Sequence, residues 1–215
     1  MTMQPGSTRV GASGGTGGGR AAPMIVLAVL AFIVNAGVYY LQTKGIKVSV
    51  PINLIGGFSL QVNLSPALES LILAWALWVY SGLSFGAAII AAIVLFVVRM
   101  LVTFGWGYLM SKVMPILPLS LLTQSTAFYG PLFLQVLVTG ASVLVVLVVY
   151  EPAFRAWWPW ILTLAIWAGG TTGMFVLYHD QDITRAVYPW LVYLTRAAGF
   201  LVIGYEFGRP QRLYR

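Results

Sequence analysis

The apolar positions of this chain fall into six long runs, separated by short polar or glycine-rich segments. The runs cover Ala22–Leu41, Pro66–Tyr80, Gly86–Met110, Thr126–Tyr150, Trp157–Tyr178 and Ile183–Phe207. A helix rises about 1.5 Å per residue, so about 20 residues cross a hydrocarbon core of about 30 Å. Every run except the second approaches or exceeds that length. The pattern therefore predicts an all-α integral membrane protein, a bundle of about six transmembrane helices surrounded by the lipid bilayer.

Strict alternation of apolar and polar residues replaces the helical pattern between the first two runs, within residues 46–64. Period two is typical of strands, and a glycine pair near the middle predicts a β-hairpin. A three-residue loop, with Gly57 in the left-handed position, places apolar residues opposite apolar residues. That register pairs Leu54 with Phe58, Ile52 with Leu60, Val50 with Val62 and Val48 with Leu64. Because open strand edges cannot lie in hydrocarbon, we expect the hairpin at the membrane surface, either as a lid or docking surface or as a cap over the bundle.

The second and third helices carry two opposite charges. Ser65 is a suitable N-cap and Pro66 a suitable first residue for the second helix. Counted from a tight turn at residues 81–84, Glu69 and Arg99 lie at similar depth on antiparallel helices. An unpaired charge inside a membrane is costly, so the sequence predicts an ion pair, which either fixes the helix register or handles a ligand or proton. The alternative is that each side chain faces water or headgroups near the far surface.

Arg196 lies near the middle of the sixth helix, with no acidic residue at its depth on the fifth or sixth helix. At that depth the fifth helix has a segment rich in glycine and threonine, including Thr171 and Thr172, which permits a kink or exposed carbonyl groups. Arg196 can therefore bond carbonyl or threonine oxygens, reach Glu69 across the bundle, or contact an anionic ligand. It can also lie nearer the surface if the helix boundary differs. An arginine inside a membrane indicates a functional site.

Asn35 and Gln135 are the other buried polar candidates, in the first and fourth helices, and each can bond across helices or face a substrate path. The predicted ligand-binding set is Arg196, Arg99, Glu69, Thr171, Thr172, Asn35 and Gln135. Two glycine pairs also have the four-residue spacing that lets helices approach closely. They are Gly169 with Gly173 and Gly204 with Gly208.

Composition agrees with a membrane location, since 60% of the residues are hydrophobic and 8% charged, against about 25% charged in soluble domains. Residues 1–21 are rich in glycine and serine and are expected to be a flexible tail. A transmembrane domain at residues 22–208 and a basic C-terminal tail at residues 209–215 follow. The Lys and Arg residues form no stripe, so we expect no nucleic-acid partner. Their distribution favours a multi-pass protein of the cell membrane with both termini in the cytoplasm.

Several kinds of chemistry find no support in the sequence. The chain has no cysteine, which excludes disulfides and thiolate metal sites. His179, Asp180 and Asp182 form a short polar loop, which we interpret as a solvated turn with Asp182 as a helix cap, and we predict no metal site. The chain contains no phosphate-binding loop, dinucleotide fingerprint, metalloprotease motif or nucleophile elbow, so we do not expect an enzyme. The sequence identifies no cofactor.

Two functions of different class fit this pattern. The first is a small-solute-binding transport component that works with partner subunits, in which Arg196, Arg99 and Glu69 contact an anionic or zwitterionic solute. In size and outline the chain resembles the membrane-embedded substrate-capture subunits of energy-coupling-factor transporters. The resemblance implies solute capture within a larger complex, although the small-residue motif usual in the first helix of those subunits is not evident in Ala22–Leu41. The second function is a structural accessory subunit of a respiratory or photosynthetic membrane complex.

Overall fold

A computed structural model describes residues 18–53, 59–113, 116, 124–174 and 184–209 of the chain. Its elements, in chain order, are α1 (Gly18–Thr43), β1 (Ser49–Asn53), β2 (Ser59–Asn63), α2 (Leu64–Tyr80), α3 (Phe85–Val113), α4 (Gln124–Tyr150), a 3₁₀ turn (Pro152–Arg155), α5 (Trp157–Leu164), a π-helical segment (Ala165–Gly169) and α6 (Thr184–Phe207). The helix that starts as α5 continues through the π-helical segment to residue 174.

The described part of the chain is mostly helical, and three helical stretches within it are long and apolar enough to cross a membrane. They are Ala21–Thr43, Phe85–Val113 and Leu132–Tyr150, and α2 is a shorter apolar helix. Large apolar side chains point outward from these helices; for example, Leu101 is 63% exposed and Val149 is 75% exposed. A surface of this kind would be unfavourable in water and suits a protein surrounded by lipid, so the structure is compatible with a multi-pass membrane protein.

The helices form a ring. Each helix packs against the next one in the chain, and α6 packs along α1 to close the ring. Between α2 and α3 the chain turns within residues 81–84, where Gly82 has a φ of +68° and Leu83 N donates to Leu77 O. Left-handed backbone at the end of a helix is a common terminator that glycine adopts without strain. Ring closure brings the first and last helices together, and this contact matters most for the site described below.

The two strands pair antiparallel in the register that the alternation predicts for them. Val50 lies opposite Val62, and Ile52 lies opposite Leu60. The strands are shorter than the predicted 46–64, and the loop with Gly57 lies outside the described residues. The pairing places β1 and β2 between the C-terminal end of α1 and the N-terminal end of α2, and we call this side of the molecule the strand end.

The start of α2 differs from the prediction. The helix begins at Leu64 after an N-cap at Asn63, so Ser65 lies inside the helix and is not its cap. The reason is the preceding sheet: Leu64 N donates to Val48 O at 2.9 Å, which continues the strand pairing up to the first helical residue. The Asn63 side chain makes no capping hydrogen bond. Sheet pairing therefore decides the helix start in place of a side-chain cap.

Other helix boundaries also differ from the prediction. α1 begins at Gly18, so the helix includes the last residues of the predicted tail, and the rest of that tail lies outside the described residues. The predicted fifth helix extends to Tyr178; Met174 is its last described residue, and residues 175–178 lie outside the described part of the chain. The polar loop with His179, Asp180 and Asp182 also lies outside the described residues.

Opposite the strand end, the ring is filled by apolar side chains. Phe154 and Phe207 are both buried, and their ring centroids are 5.4 Å apart. Leu77 and Leu147 are fully buried beside them in the same core. Dense packing of large side chains leaves little free volume. We call this side of the molecule the packed end.

Close helix contacts occur at glycines outside the predicted pair of Gly169 and Gly173. A Cβ at Gly169 or Gly173 would meet no atom within 4 Å, so neither glycine permits a close approach within the described residues. Close approaches occur at Gly140, Gly170, Gly199 and Gly204. A Cβ at Gly199 would overlap the indole of Trp167, and a Cβ at Gly204 would lie 2.6 Å from the backbone of Met24. Spacing identifies glycine pairs but not the face that a neighbouring helix covers.

Candidate functional site

Glu69 is the centre of a charged cluster between the helices. The residue is 2% exposed, and both carboxylate oxygens accept hydrogen bonds. Arg99 Nη1 donates to Oε2 at 2.5 Å, Arg196 Nη1 contacts Oε1 at 3.1 Å, and Asn35 Nδ2 donates to Oε1 at 2.9 Å. A buried carboxylate is stable only when its charge is paired and its lone pairs are used. The three partners together supply that compensation.

The cluster joins four helices of the ring: α1, α2, α3 and α6 supply Asn35, Glu69, Arg99 and Arg196 respectively. The predicted ion pair between Glu69 and Arg99 is confirmed. Counting from the turn succeeded because α2 and α3 are adjacent and antiparallel, so equal distance from the turn means equal depth. Arg196 reaches Glu69 across the bundle, which the sequence left as one of several alternatives.

The two arginines differ in how they are held. The Arg99 side chain is 9% exposed, whereas the Arg196 side chain is 33% exposed. Arg196 makes longer contacts: 3.1 Å to Glu69 Oε1 and 3.4 Å to Asn35 Oδ1. Charge-assisted hydrogen bonds are strongest near 2.7–2.9 Å, so about 3.1 Å and beyond indicates a looser bond. The Arg99 guanidinium is therefore buried in its ion pair with Glu69, whereas part of the Arg196 guanidinium is exposed.

The exposed part of Arg196 faces a cavity of about 400 Å³ that extends from the cluster toward the strand end. Six of the seven predicted ligand-binding residues line this cavity: Arg196, Arg99, Glu69, Thr171, Asn35 and Gln135. Thr172 does not line it, and its buried hydroxyl has no partner within the described part of the chain. A volume of this size falls within the usual range of small-molecule sites, about 300–1,000 Å³.

Four aromatic side chains outside the predicted ligand-binding set also line the cavity: Tyr39, Trp167, Tyr193 and Phe200. The rings of Tyr39 and Tyr193 are 5.9 Å apart across the contact between α1 and α6. Tyr193 precedes Arg196 by three residues on one helix, and such spacing places both on the same face. That spacing is a signal in the sequence that could have identified Tyr193. Tyr39 has no comparable signal, because its position depends on ring closure.

The π-helical segment forms a hydrogen bond to the backbone of α6 at Arg196. Trp167 lies inside this segment, and its Nε1–H donates to the backbone carbonyl of Arg196 at 3.2 Å. The indole lies over Gly199, which leaves room for it. A π-helical turn shifts the register of the residues that follow, and such turns are frequent at functional sites. The helix that contains the glycine-rich segment therefore packs next to Arg196, as their similar depth in the sequence predicts.

No known protein family, curated protein or solved structure matches this chain.

Proposed function

We propose that this chain is a small-solute-binding component of a membrane transport system, and that it binds an anionic or zwitterionic solute in the cavity beside Arg196. The observation that carries this proposal is the accessible guanidinium of Arg196 within a buried cluster. Arg99 already neutralises the charge of the Glu69 carboxylate, so the second arginine leaves the cluster with an excess positive charge. An extra cation that faces a cavity is most simply explained by an anionic group that binds there.

The wider architecture is part of the same proposal. All six helices cross the bilayer, the paired strands form a surface hairpin over the mouth of the cavity, and both termini lie in the cytoplasm. The cavity then opens to the outside, on the side from which a solute is captured. Partner subunits supply the energy for release in this proposal, since the sequence has no nucleotide-binding motif of its own.

The test compares Arg196→Gln with the wild-type protein and with Arg155→Gln as a matched control. Arg155 lies in the 3₁₀ turn near the packed end, is exposed and does not line the cavity. The proteins are purified in mild detergent and the small molecules that they retain are identified by mass spectrometry. The wild type and the Arg155 variant should retain the same acidic solute, and the Arg196 variant should lose it while remaining folded.

Retention of the same solutes by all three proteins would overturn the proposal. If the chain instead copurifies stoichiometrically with redox subunits, and all three proteins lack an acidic solute, the role as an accessory subunit of a respiratory or photosynthetic complex is correct. Copurification with an ATPase module would agree with transport.

A further inference from the structure

We propose that the cavity selects a solute group with a single negative charge, and that Glu69 and Arg99 set this selectivity without contacting the solute. The proposal rests on the proposed function, because it concerns the solute of the same cavity. It adds the charge of the solute and a distinct role for each of the two arginines.

The charge of the cavity follows from its lining. Among the described residues that line it, the charged ones are Glu69, Arg99 and Arg196. Two guanidinium groups and one carboxylate leave a net charge of one positive unit. In surroundings of low dielectric constant, charges are weakly screened and an uncompensated charge is costly. A monoanion therefore neutralises the cavity, whereas a dianion would leave an excess negative charge next to Glu69.

The geometry assigns the two arginines different tasks. Arg99 is nearly buried and lies at 2.5 Å from Glu69 Oε2, so its charge is used within the cluster. Arg196 is the more exposed of the two, and both of its contacts in the cluster come from Nη1. Within the described residues neither contact uses Nη2 or Nε, so their N–H groups are suited to a solute carboxylate, which arginine can bind in a bidentate manner.

Arg99 acts as a positioning residue in this scheme. Without it, Glu69 would have Arg196 as its sole counter-ion, and the cavity would have no net charge. Arg196 would still be present, yet its guanidinium would be drawn to Glu69 and the attraction for an anion would fall. Removing Glu69 and Arg99 together restores the net charge of one and frees Arg196. Removing Glu69 alone raises the net charge to two.

The experiment measures binding of two matched pairs of acids by isothermal titration calorimetry of the full chain in detergent micelles. Benzoate is compared with isophthalate, and butanoate with succinate, so that each pair differs by one carboxylate. The wild type should prefer the monoanion. Arg99→Gln should weaken monoanion binding by about tenfold or more, because loss of a nearby unit charge exceeds the 1.4 kcal/mol that corresponds to tenfold.

The double variant Glu69→Gln/Arg99→Gln should recover the monoanion affinity to within about threefold, since its net charge equals that of the wild type. Glu69→Gln alone should shift the preference toward the dianion by about tenfold. Arg99→Lys, which keeps the charge, should behave as the wild type. If either single Gln variant fails to fold, the double variant still decides, because its preference for benzoate over isophthalate must match that of the wild type.

Two kinds of failure are distinguishable. If the wild type binds none of the four acids, or binds them as Arg196→Gln does, the proposed function itself is wrong. If Arg196→Gln abolishes binding but Arg99→Gln does not weaken it, an anion site exists and the charge proposal is wrong. A double variant that binds no better than Arg99→Gln would likewise show that Arg99 acts through something other than the charge of the cavity.

Discussion

Glu69 and Glu206 are both buried glutamates, 2% and 1% exposed, but they lie in opposite halves of the ring. Glu69 accepts hydrogen bonds or ion-pair contacts from three other helices. Glu206 is paired with Arg209, three residues later in the chain, at 3.4 Å, and the Arg209 side chain is 46% exposed. Burial alone therefore does not identify a site. What separates the two glutamates is that the partners of Glu69 come from three other helices, whereas Arg209 lies only three residues from Glu206 in the chain.

The surroundings of Glu69 and Glu206 also differ. Glu69 borders a cavity of about 400 Å³ lined by both polar and apolar side chains, whereas Glu206 lies at the packed end, next in the chain to the buried Phe207. Near the packed end, Glu151 is also buried and accepts a hydrogen bond from Ala153 N at 3.2 Å, as the cap of the 3₁₀ turn. The acids of the packed end therefore satisfy local backbone and helix-end requirements. Glu69, which lies nearer the strand end, instead links α2 to α1, α3 and α6.

The largest difference is expected when each glutamate is neutralised. Glu69→Gln leaves two guanidinium groups without a counter-ion, so we expect a loss of about 3–5 kcal/mol in the free energy of unfolding. Glu206→Gln releases Arg209, which can turn to water or headgroups, and should cost less than about 1 kcal/mol. Unfolding in mixed micelles, followed by tryptophan fluorescence as the denaturing detergent is increased, measures both. Equal losses would mean that the network across helices contributes no more than a local pair.

A smaller effect is expected at the contact that closes the ring. In Gly204→Ala the new methyl group would lie 2.6 Å from the Met24 backbone, which cannot move aside as a side chain can, so we expect a loss of about 1–3 kcal/mol. Gly173→Ala is the matched control, because a Cβ there meets no atom within 4 Å. The control should be neutral or slightly stabilising in the same unfolding assay. A harmless Gly204→Ala would show that α1 and α6 can separate without cost.

The smallest effect is expected for single neutral hydrogen-bonding groups. Asn35 donates to Glu69 across helices and to Ala31 O within α1, so Asn35→Ala should cost about 1 kcal/mol. Ser70 donates to Pro66 O within its own helix, and Ser70→Ala should change stability by less than about 0.5 kcal/mol. The same titration compares the two variants. Reversal of this order would argue that Asn35 serves the solute more than the fold.

Features that follow from periodicity and from distance along one element can be predicted from the amino-acid sequence alone. Apolar runs determined the helices, alternation determined which strand residues pair, and equal depth from one turn determined the contact between Glu69 and Arg99. These predictions succeed because a helix advances by a constant rise and a strand alternates its faces.

Only the tertiary structure decided which residues meet once the ring closes. Asn35 and Arg196 are separated by 161 positions, and their contact depends on the packing of α6 along α1. Depth along a helix can be counted from the sequence, but the direction in which a side chain points around the helix axis, relative to neighbours distant in the chain, cannot. That direction brings Tyr39 and Arg196 to the cavity, leaves Thr172 outside its lining, and places close contacts at Gly199 and Gly204.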